Sequence, residues 1–327
     1  MSAVVGVDVG GTKISAARWS AGQLSTPNLT ETDVSGADVL FEEIIRGVDA
    51  VRDGEIDAVG VGLPGPIEFK TGRVRTAVNL PLEDIPVREV LHERLGIPVY
   101  VDNDATVAAL AEAWSGDRIA VPNLVMFTVG TGVGGGLVLR GRVYRGATGA
   151  AAELGMTMIG ADLDAGTPEA GEFPQPGSLE SLASGTALDG LALAAARDEP
   201  ESVLGRRLAE EGEVSGHDVV GAAKQGDEHA LRVITVLGER LGIGIANAIN
   251  TFDPDVVAIG GGVSNAGELL LAPARETARK FTLTGVGTET EIRIARLGPE
   301  AGVLGAALLA HTELASEREN PVAQGGS

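Results

Sequence analysis

Cysteine is absent from the sequence, which excludes disulfide bonds, thiolate catalysis and zinc sites built on cysteine. Histidine is scarce, and no two of the four lie at metal-ligand spacing: His92, His217, His229 and His311. Aromatic residues are only 3% of the chain, so its core must consist mainly of aliphatic side chains and alanine. No apolar run approaches the roughly 18 residues that a membrane-spanning helix needs, and no basic stretch precedes an apolar run at the N-terminus. We therefore expect a cytoplasmic protein without a membrane partner.

Positive charge is also scarce. The chain has 46 acidic residues against 25 basic ones, a net charge of −21, and such a surface repels phosphate backbones. We therefore expect no nucleic-acid partner. Only four of the basic residues are lysines, at positions 13, 70, 224 and 280, which leaves 21 arginines. A salt-rich cytosol favours this composition, because carboxylates keep a surface hydrated, but a GC-rich genome also replaces lysine by arginine. We expect a salt-adapted protein, with a GC-rich genome as the alternative explanation.

What the sequence does contain is enough apolar material for a folded core. Hydrophobic residues are 44% and charged residues 22% of the 327 positions, a composition typical of globular proteins. At roughly 150 residues per domain, this length corresponds to about two domains.

The order of predicted elements repeats along the chain. A strand at residues 4–8, a glycine turn at 10–12 and a returning strand at 13–19 have a counterpart at 124–129, 130–136 and 137–144. This repeat predicts an α/β fold of two related lobes with a cleft between them. Further strands are predicted at 58–62, 98–102, 256–259 and 292–296, and helices at 40–52, 104–114, 179–196, 228–252 and 302–310. Residues 161–178 are predicted to form a loop. The predicted lobes cover residues 1–117, with a returning helix at 298–311, and residues 118–297; residues 312–327 are predicted to be a disordered tail.

The first segment whose residues could bind a ligand or take part in a reaction is DVGGTK at residues 8–13. Glycines let backbone N–H groups approach an anion closely, and Thr12 and Lys13 add a hydroxyl donor and a positive charge. Asp8 could hold Mg²⁺ through its water shell. The same residues would also suit an ordinary hairpin turn.

Two further glycine segments follow buried strands. Residues 130–136 (GTGVGGG) formally match the dinucleotide-binding pattern, but the residues that follow are β-like, whereas that pattern must lead into a helix. A glycine hairpin can nevertheless bind phosphate through its N–H groups. The third segment, residues 260–262 (GGG), is either a cradle for adenosine or phosphate, or a tight strand-to-helix turn.

Carboxylates mark the remaining candidate site. Asn103 and Asp104 lie where a strand ends and a helix begins, a place that favours an ionised aspartate, which can accept the proton of an attacking hydroxyl. Simple helix capping is the alternative. Glu153 and Glu180 lie among apolar and small residues, where they could accept hydrogen bonds from sugar hydroxyls or be ordinary surface charges.

Together these motifs resemble the ROK family of sugar kinases, and within it the glucokinases, over about residues 4–310. GVDVGGTK at 6–13, GLPGP at 62–66, VDNDA at 101–105 and the glycine turns at 130 and 260 all fit, as do GATGAAAELG at 146–155 and LESLASGTA at 179–187. The resemblance implies an α/β fold of the actin-like ATPase (ribonuclease H-like) type, and phosphorylation of glucose at its 6-hydroxyl by ATP with Mg²⁺. N-acetylhexosamine kinase or fructokinase activity is the alternative; a sugar-responsive regulator is disfavoured by the charge and by the first strand starting near Ala3, and a non-sugar ATPase by the carboxylates.

The resemblance also implies individual roles. Asp104 is the general base. The substrate is bound by Pro64, Gly65, Asn103, Asp104, Glu153 and Glu180. ATP is bound by Asp8, Gly10, Gly11, Thr12, Lys13, Gly130, Thr131, Gly132, Gly261 and Gly262, with Asp8 near the metal. A homo-oligomer, dimer or tetramer, is implied as well.

The sequence departs from the family pattern at its zinc site. Met156 stands where the family usually has a histidine that binds zinc and sugar, and Gly171, Phe173 and Ser178 stand at the cysteine positions. We therefore expect no zinc, and a loop held by its own packing. Loss of the histidine leaves the identity of the hexose open.

Overall fold

The computed structural model describes residues 3–77, 79–164, 166–167 and 171–319. Its strands are β1 (Val4–Val9), β2 (Lys13–Ser20), β3 (Gln23–Leu24), β4 (Asn28–Glu31), β5 (Ala58–Leu63), β6 (Ile67–Glu68), β7 (Arg73–Thr76), β8 (Glu83–Pro86), β9 (Val99–Asn103), β10 (Trp114–Ser115), β11 (Arg118–Ile119), β12 (Leu124–Val129), β13 (Val133–Leu139), β14 (Arg142–Val143), β15 (Val256–Gly260) and β16 (Glu291–Ile294). Its α-helices are α1 (Ala37–Val51), α2 (Val87–Leu95), α3 (Asp104–Ala113), α4 (Leu179–Ala183), α5 (Gly185–Asp198), α6 (Val203–Glu211), α7 (Gly216–Lys224), α8 (Glu228–Phe252), α9 (Glu268–Phe281) and α10 (Ala301–Glu319).

The chain divides into two compact units. Unit 1 comprises the described residues within Met1–Pro122, Gly136–Ala152 and Leu297–Ser327, and unit 2 those within Asn123–Gly135 and Glu153–Arg296. The first boundary therefore follows Pro122 rather than residue 117. Residues 136–152, which the sequence assigned to the second lobe, belong to unit 1 because their side chains and glycines contact that unit. Gly149, for example, lies so close to the Ile67 carbonyl that a Cβ there would be 2.1 Å from the oxygen.

The main sheet of unit 1 is mixed. Its strand order is β3-β2-β1-β5-β9, and β4 also pairs with β2. β1 and β2 form an antiparallel hairpin, whereas β1, β5 and β9 run parallel. The parallel register places Asp8 beside Gly62 and Gly62 beside Asp102, so two carboxylates reach the same end of the sheet.

Alternation along these strands builds a hydrophobic core on each face of the sheet. Val5, Val7 and Val9 join one cluster with residues of α1 and α2, whereas Val4 joins a second cluster with residues of α3 and α10. Unit 1 is thus a layer of helices, a sheet and a second layer of helices, as the period-two pattern of strands requires.

Helix α10 packs unusually close to the sheet because glycines face it. A Cβ at Gly60 would lie 1.8 Å from the Ala306 carbonyl oxygen, and one at Gly6 would lie 2.1 Å from that of Val303. A Cβ at Gly305 of the helix would likewise lie 1.9 Å from the carbonyl oxygen of Val107 in α3. The helix can reach this position only where the side chains are missing.

The second sheet repeats the order of the first. β12, β15 and β16 run parallel, and β13 and β14 lie beyond β12, giving the order β14-β13-β12-β15-β16. A hairpin followed by two parallel strands is therefore common to both sheets, as the repeated sequence pattern predicted. A smaller antiparallel sheet contains β6, β7 and β8, which the sequence did not predict.

Three predicted elements differ in the structure. The predicted helix at 179–196 is broken at Ser184, whose hydroxyl accepts the Ala187 N–H and caps α5. The glycine turn predicted at 130–136 is shorter, because Gly134 to Gly136 lie in β13. The last helix continues to Glu319, so the prediction of disorder is wrong for residues 312–319; residues 320–327 lie outside the described part of the chain. Glu313 and Glu317 bond to residues of unit 1, which keeps this polar stretch helical.

Among the helices described within residues 3–319, none is long and apolar enough to cross a membrane.

Candidate active site

The first glycine turn, residues 10–12, joins β1 to β2 in unit 1. The Gly10 N–H donates to the Lys13 carbonyl at 2.9 Å, and the Thr32 hydroxyl donates to the Gly10 carbonyl at 2.7 Å. Thr12 and Lys13 are exposed. These two hydrogen bonds therefore fix the turn, while the side chains of Thr12 and Lys13 are accessible to solvent.

Asp8 lies at the end of β1, beside Asp104. The Cβ that Gly62 lacks would stand 3.7 Å from Asp8 Oδ1 and 3.7 Å from the Asp104 Cα, so the two carboxylates are neighbours across this glycine. Burial, with the Asp104 charge as a second cause, raises the pKa of Asp8 to about 6, although Lys13 acts in the opposite direction. Gly302 at the start of α10 covers Asp8, since a Cβ there would be 2.4 Å from Oδ2.

The pKa of Asp8 predicts how stability depends on pH. The folded chain binds this proton more tightly than an unfolded chain, whose pKa is 3.8. Ionisation therefore costs stability as pH rises from about 4 to about 6, and the penalty is complete at pH 7. In metal-free buffer, Asp8→Asn should raise the free energy of unfolding at pH 7 by about 1–3 kcal/mol, and by less at pH 4. Urea unfolding at both pH values measures this difference.

Asp33→Asn is the matched control. Hydrogen bonds from the Ser35 hydroxyl and N–H hold the pKa of Asp33 below its usual range, so this substitution should lower stability at pH 7. A gain for Asp8→Asn that is equal at both pH values would contradict burial as its cause.

Asn103 and Asp104 begin α3, as predicted. The Asn103 Oδ1 accepts the N–H groups of Ala105 and Thr106 at 3.0 and 3.1 Å, so Asn103, and not Asp104, caps the helix. The Asp104 Oδ1 accepts the Ala105 N–H at 2.7 Å. Burial raises the pKa of Asp104, while hydrogen bonds from the backbone and from Asn103 oppose it. A carboxylate in such a position is a stronger base than one in water.

The turn at Pro64 and Gly65 lies beside Asn103. The Asn103 Nδ2 donates to the Gly65 carbonyl at 3.2 Å. Gly65 has a φ of +101°, and a Cβ there would be 2.2 Å from the Thr76 carbonyl, so glycine is required. Unit 1 therefore brings together five of the predicted elements: the first glycine turn, Asp8, the Pro64-Gly65 turn, Asn103 and Asp104.

In unit 2, the predicted sugar ligand Glu180 contacts the second glycine turn. Its Oε2 accepts the Val133 N–H at 2.7 Å, and a Cβ at Gly132 would be 2.4 Å from that oxygen. Gly155 packs on the carbonyl of the same Val133, where its Cβ would be 2.1 Å from the oxygen. Glu153, exposed and two residues before Gly155, thus lies on a turn anchored to the strand that follows the glycine turn.

The start of α5 is also bonded to this turn, which the sequence did not predict. The Gly185 N–H donates to the Gly130 carbonyl at 2.7 Å, and the Thr186 hydroxyl donates to the Thr131 carbonyl at 2.9 Å. The sequence signal for this contact was Thr186, a threonine directly after Gly185, the glycine that begins α5. Residues 180–186 and the second glycine turn therefore form one connected structure.

The third glycine segment is open. Gly261 and Gly262 follow β15 and are exposed. Gly261 has a φ of +84°, and a Cβ there would collide with the carbonyl group of Val129. No Cβ contact would restrict Gly262. This space is compatible with a bound nucleotide.

Backbone hydrogen bonds join the two ends of the segment from residue 157 to residue 179, where the sequence predicts a loop without zinc. The Leu179 N–H donates to the Thr157 carbonyl at 2.8 Å, and the Ile159 N–H donates to the Gly177 carbonyl at 2.9 Å. Within the described residues, no group of three histidine, aspartate or glutamate side chains could hold a metal ion. The absence of zinc stays a prediction.

Two mixed α/β sheets with glycine hairpins, and a partly buried aspartate at a helix start, are features of phosphoryl-transfer enzymes. A model of the ROK family matches residues 4–313, and the chain belongs to that family. It is 35% identical to a glucokinase of Halalkalibacterium halodurans, over 98% of this chain and 97% of that protein. It resembles the solved ROK glucokinase of Streptomyces griseus in complex with glucose and AMPPNP, with a TM-score of 0.77, 32% identity and coverage of 95% and 100%. A ROK hexokinase from Thermus thermophilus gives a TM-score of 0.75 at 36% identity, over 96% and 99%. The predicted family and actin-like ATPase fold are confirmed.

Proposed function

We propose that this protein is an ATP-dependent glucokinase that phosphorylates the 6-hydroxyl of glucose. The observation that carries the proposal is the partly buried Asp104 carboxylate, held at the start of α3 beside Asp8 and the Asn103-Gly65 contact. The glucokinase relatives over nearly the whole chain support the substrate.

Asp104 accepts the proton of the attacking hydroxyl. Its raised pKa makes it a stronger base, while the hydrogen bonds from Ala105 and Asn103 favour its ionised form. The Asn103 side chain bonds to the Gly65 carbonyl, to the start of α3 and to Asp104, so it is held in a fixed position beside the base, and we assign it a hydroxyl of the sugar as well. Glu153 and Glu180 of unit 2 bind further hydroxyls.

The glycine turns bind the nucleotide. The turns at Gly10–Thr12 and Gly130–Gly132 hold the phosphates. The N–H groups of Gly10 and Gly130 close the turns, so the phosphates bind to the N–H groups that follow them. Lys13 adds charge, and Gly261 and Gly262 leave room for the adenosine. The Asp8 carboxylate suits Mg²⁺, which prefers oxygen ligands and is commonly held by one or two carboxylates and the substrate phosphates. Bound Mg²⁺ neutralises phosphate charge, and it would stabilise the ionised form of Asp8.

The test is a coupled assay of ADP formation with ATP, Mg²⁺ and a panel of hexoses, in low and in multimolar KCl. We expect turnover to depend on added hexose and to be highest with glucose. Preference for an N-acetylated hexose would keep the mechanism and reassign the substrate, with Met156 as the first position to change. ATP turnover that no hexose increases would refute the proposed kinase activity.

The same samples test two further proposals. Activity confined to high salt would support salt adaptation. Light scattering measures whether the protein is a dimer or a tetramer, as the family resemblance implies.

Glu180 should affect both substrates, because it also accepts the Val133 N–H beside the second glycine turn. Glu180→Ala removes this acceptor and should raise KM for ATP as well as for hexose by roughly tenfold. Glu180→Gln keeps an acceptor oxygen and should raise mainly the hexose KM. Glu153→Gln is the comparison, with an effect on hexose alone. An unchanged ATP KM in Glu180→Ala would show that the contact does not shape the turn.

A further inference from the structure

Arg145 follows β14 and binds Asp102, a buried aspartate that directly precedes Asn103 and Asp104. Its Nε donates to Asp102 Oδ2 at 2.6 Å, and its Nη2 donates to Glu313 Oε1 of α10 at 3.0 Å. The guanidinium also lies over the Phe69 ring, 3.5 Å from its centroid. Two ion pairs and one contact with an aromatic ring therefore fix the orientation of this side chain.

Asp102 connects Arg145 to the catalytic residues. Its side chain is only 1% exposed, and its other oxygen, Oδ1, accepts the N–H of Asn103 at 2.9 Å. One carboxylate oxygen thus bonds to Arg145 and the other to the residue that caps α3. Burial raises the pKa of Asp102, and the Arg145 charge opposes this effect. Without the arginine, a buried carboxylate would have no charged partner at Oδ2 and would protonate or shift.

The backbone of Arg145 fixes a second segment. Its carbonyl accepts the Ala151 N–H at 3.1 Å, which closes the loop at residues 145–151. Gly149 of this loop packs on the Ile67 carbonyl. Glu153, the proposed sugar ligand, follows two residues after Ala151, so Arg145 lies at the base of the segment that leads to it.

We propose that Arg145 is a positioning residue for phosphoryl transfer, which acts through Asp102 on Asn103 and Asp104. This inference rests on the proposed glucokinase activity. The predicted consequence is a kinetic effect on the step that Asp104 serves, beyond any loss of stability. A small displacement of a catalytic group can reduce turnover by roughly 10²-fold.

The test compares Arg145→Met, Arg145→Lys and Asp102→Asn with the matched control Arg318→Met. Arg318 also forms an ion pair through α10, with Asp57 at 2.9 Å, but this pair makes no hydrogen bond or ion pair with Asp102, Asn103 or Asp104. Activities are expressed per folded protein, with the folded fraction measured by circular dichroism. We expect Arg145→Met to lower kcat by roughly 10–100-fold with the ATP KM unchanged. Arg145→Lys keeps the charge but loses the planar guanidinium group, so its kcat should lie between those of Arg145→Met and wild type. Arg318→Met should keep the wild-type kcat.

The double variant Arg145→Met/Asp102→Asn tests the route of the effect. If Arg145 acts through Asp102, its kcat will lie well above the value obtained by multiplying the two single effects. Independent multiplication, or a kcat loss in Arg145→Met no larger than in Arg318→Met, would overturn the inference. If Arg145→Met does not fold, a wild-type kcat in Arg145→Lys, with Asp102→Asn also unimpaired, would overturn it. A wild-type chain without hexose-dependent ATP turnover would instead refute the proposed function, and this inference with it.

Discussion

Replacing Asp104 with asparagine should lower the turnover number for glucose by roughly 10²–10⁴-fold while ATP still binds. Asparagine has nearly the same shape and can still accept the Ala105 N–H, so α3 should keep its start. What it lacks is the basic oxygen that takes the proton of the 6-hydroxyl. Steady-state kinetics give the turnover number, and calorimetric titration with a non-hydrolysable ATP analogue gives the nucleotide affinity.

Asp227→Asn is the matched control for this prediction. Asp227 also lies at a helix start, where its side chain accepts the Ala230 N–H at 2.8 Å, but it is in unit 2 at the start of α8. This variant should retain wild-type turnover. Near-normal turnover in Asp104→Asn would refute Asp104 as the general base.

The substitution Gly60→Ala should have the second large effect, a decrease in the free energy of unfolding. The added methyl group would lie 1.8 Å from the Ala306 carbonyl oxygen and 2.7 Å from its carbon, and backbone atoms cannot rotate away as a flexible side chain can. Either α10 or β5 must move, so we expect the free energy of unfolding to fall by about 3 kcal/mol or more. Urea unfolding followed by circular dichroism measures the change.

Gly190→Ala separates this clash from the general effect of replacing glycine. Gly190 is an exposed position inside α5, and a Cβ there would meet no atom within 4 Å. Alanine at this position should stabilise the protein by up to about 1 kcal/mol, because glycine is a poor helix former. If Gly60→Ala unfolds at the same urea concentration as wild type, the close packing of α10 on the sheet is not what the structure indicates.

Local patterns predicted those parts of the site that depend on neighbours in sequence. The glycine turn after β1 and the Asn103 cap of α3 follow from residue types within a few positions, and both were predicted. The contact between Glu180 and Val133 was not, because the two residues are far apart in sequence and neither forms part of a shared local pattern. Arg145 was missed for the same reason: its partners, Asp102 and Glu313, come from distant parts of the chain.

The end of α10 illustrates the limit of composition. Residues 312–319 are polar, and polarity alone predicts a disordered tail. In the folded chain, Glu317 accepts the Tyr100 hydroxyl at 2.7 Å and Glu313 accepts from Arg145, so the acidic residues have partners that only the fold provides. The helix therefore continues past the point where its apolar pattern ends.

Short-range spacing and motifs in a fixed order were enough to predict the α/β class, the repeated hairpins, the family and the catalytic candidate Asp104. Only the folded structure shows that Asp8 and Asp104 are neighbours across Gly62, and that residues 136–152 belong to unit 1. The same is true of the ion pair between Arg145 and Asp102. These relations depend on strand register and on the close approach of α10 to the sheet, and both are set by packing among residues far apart in the chain.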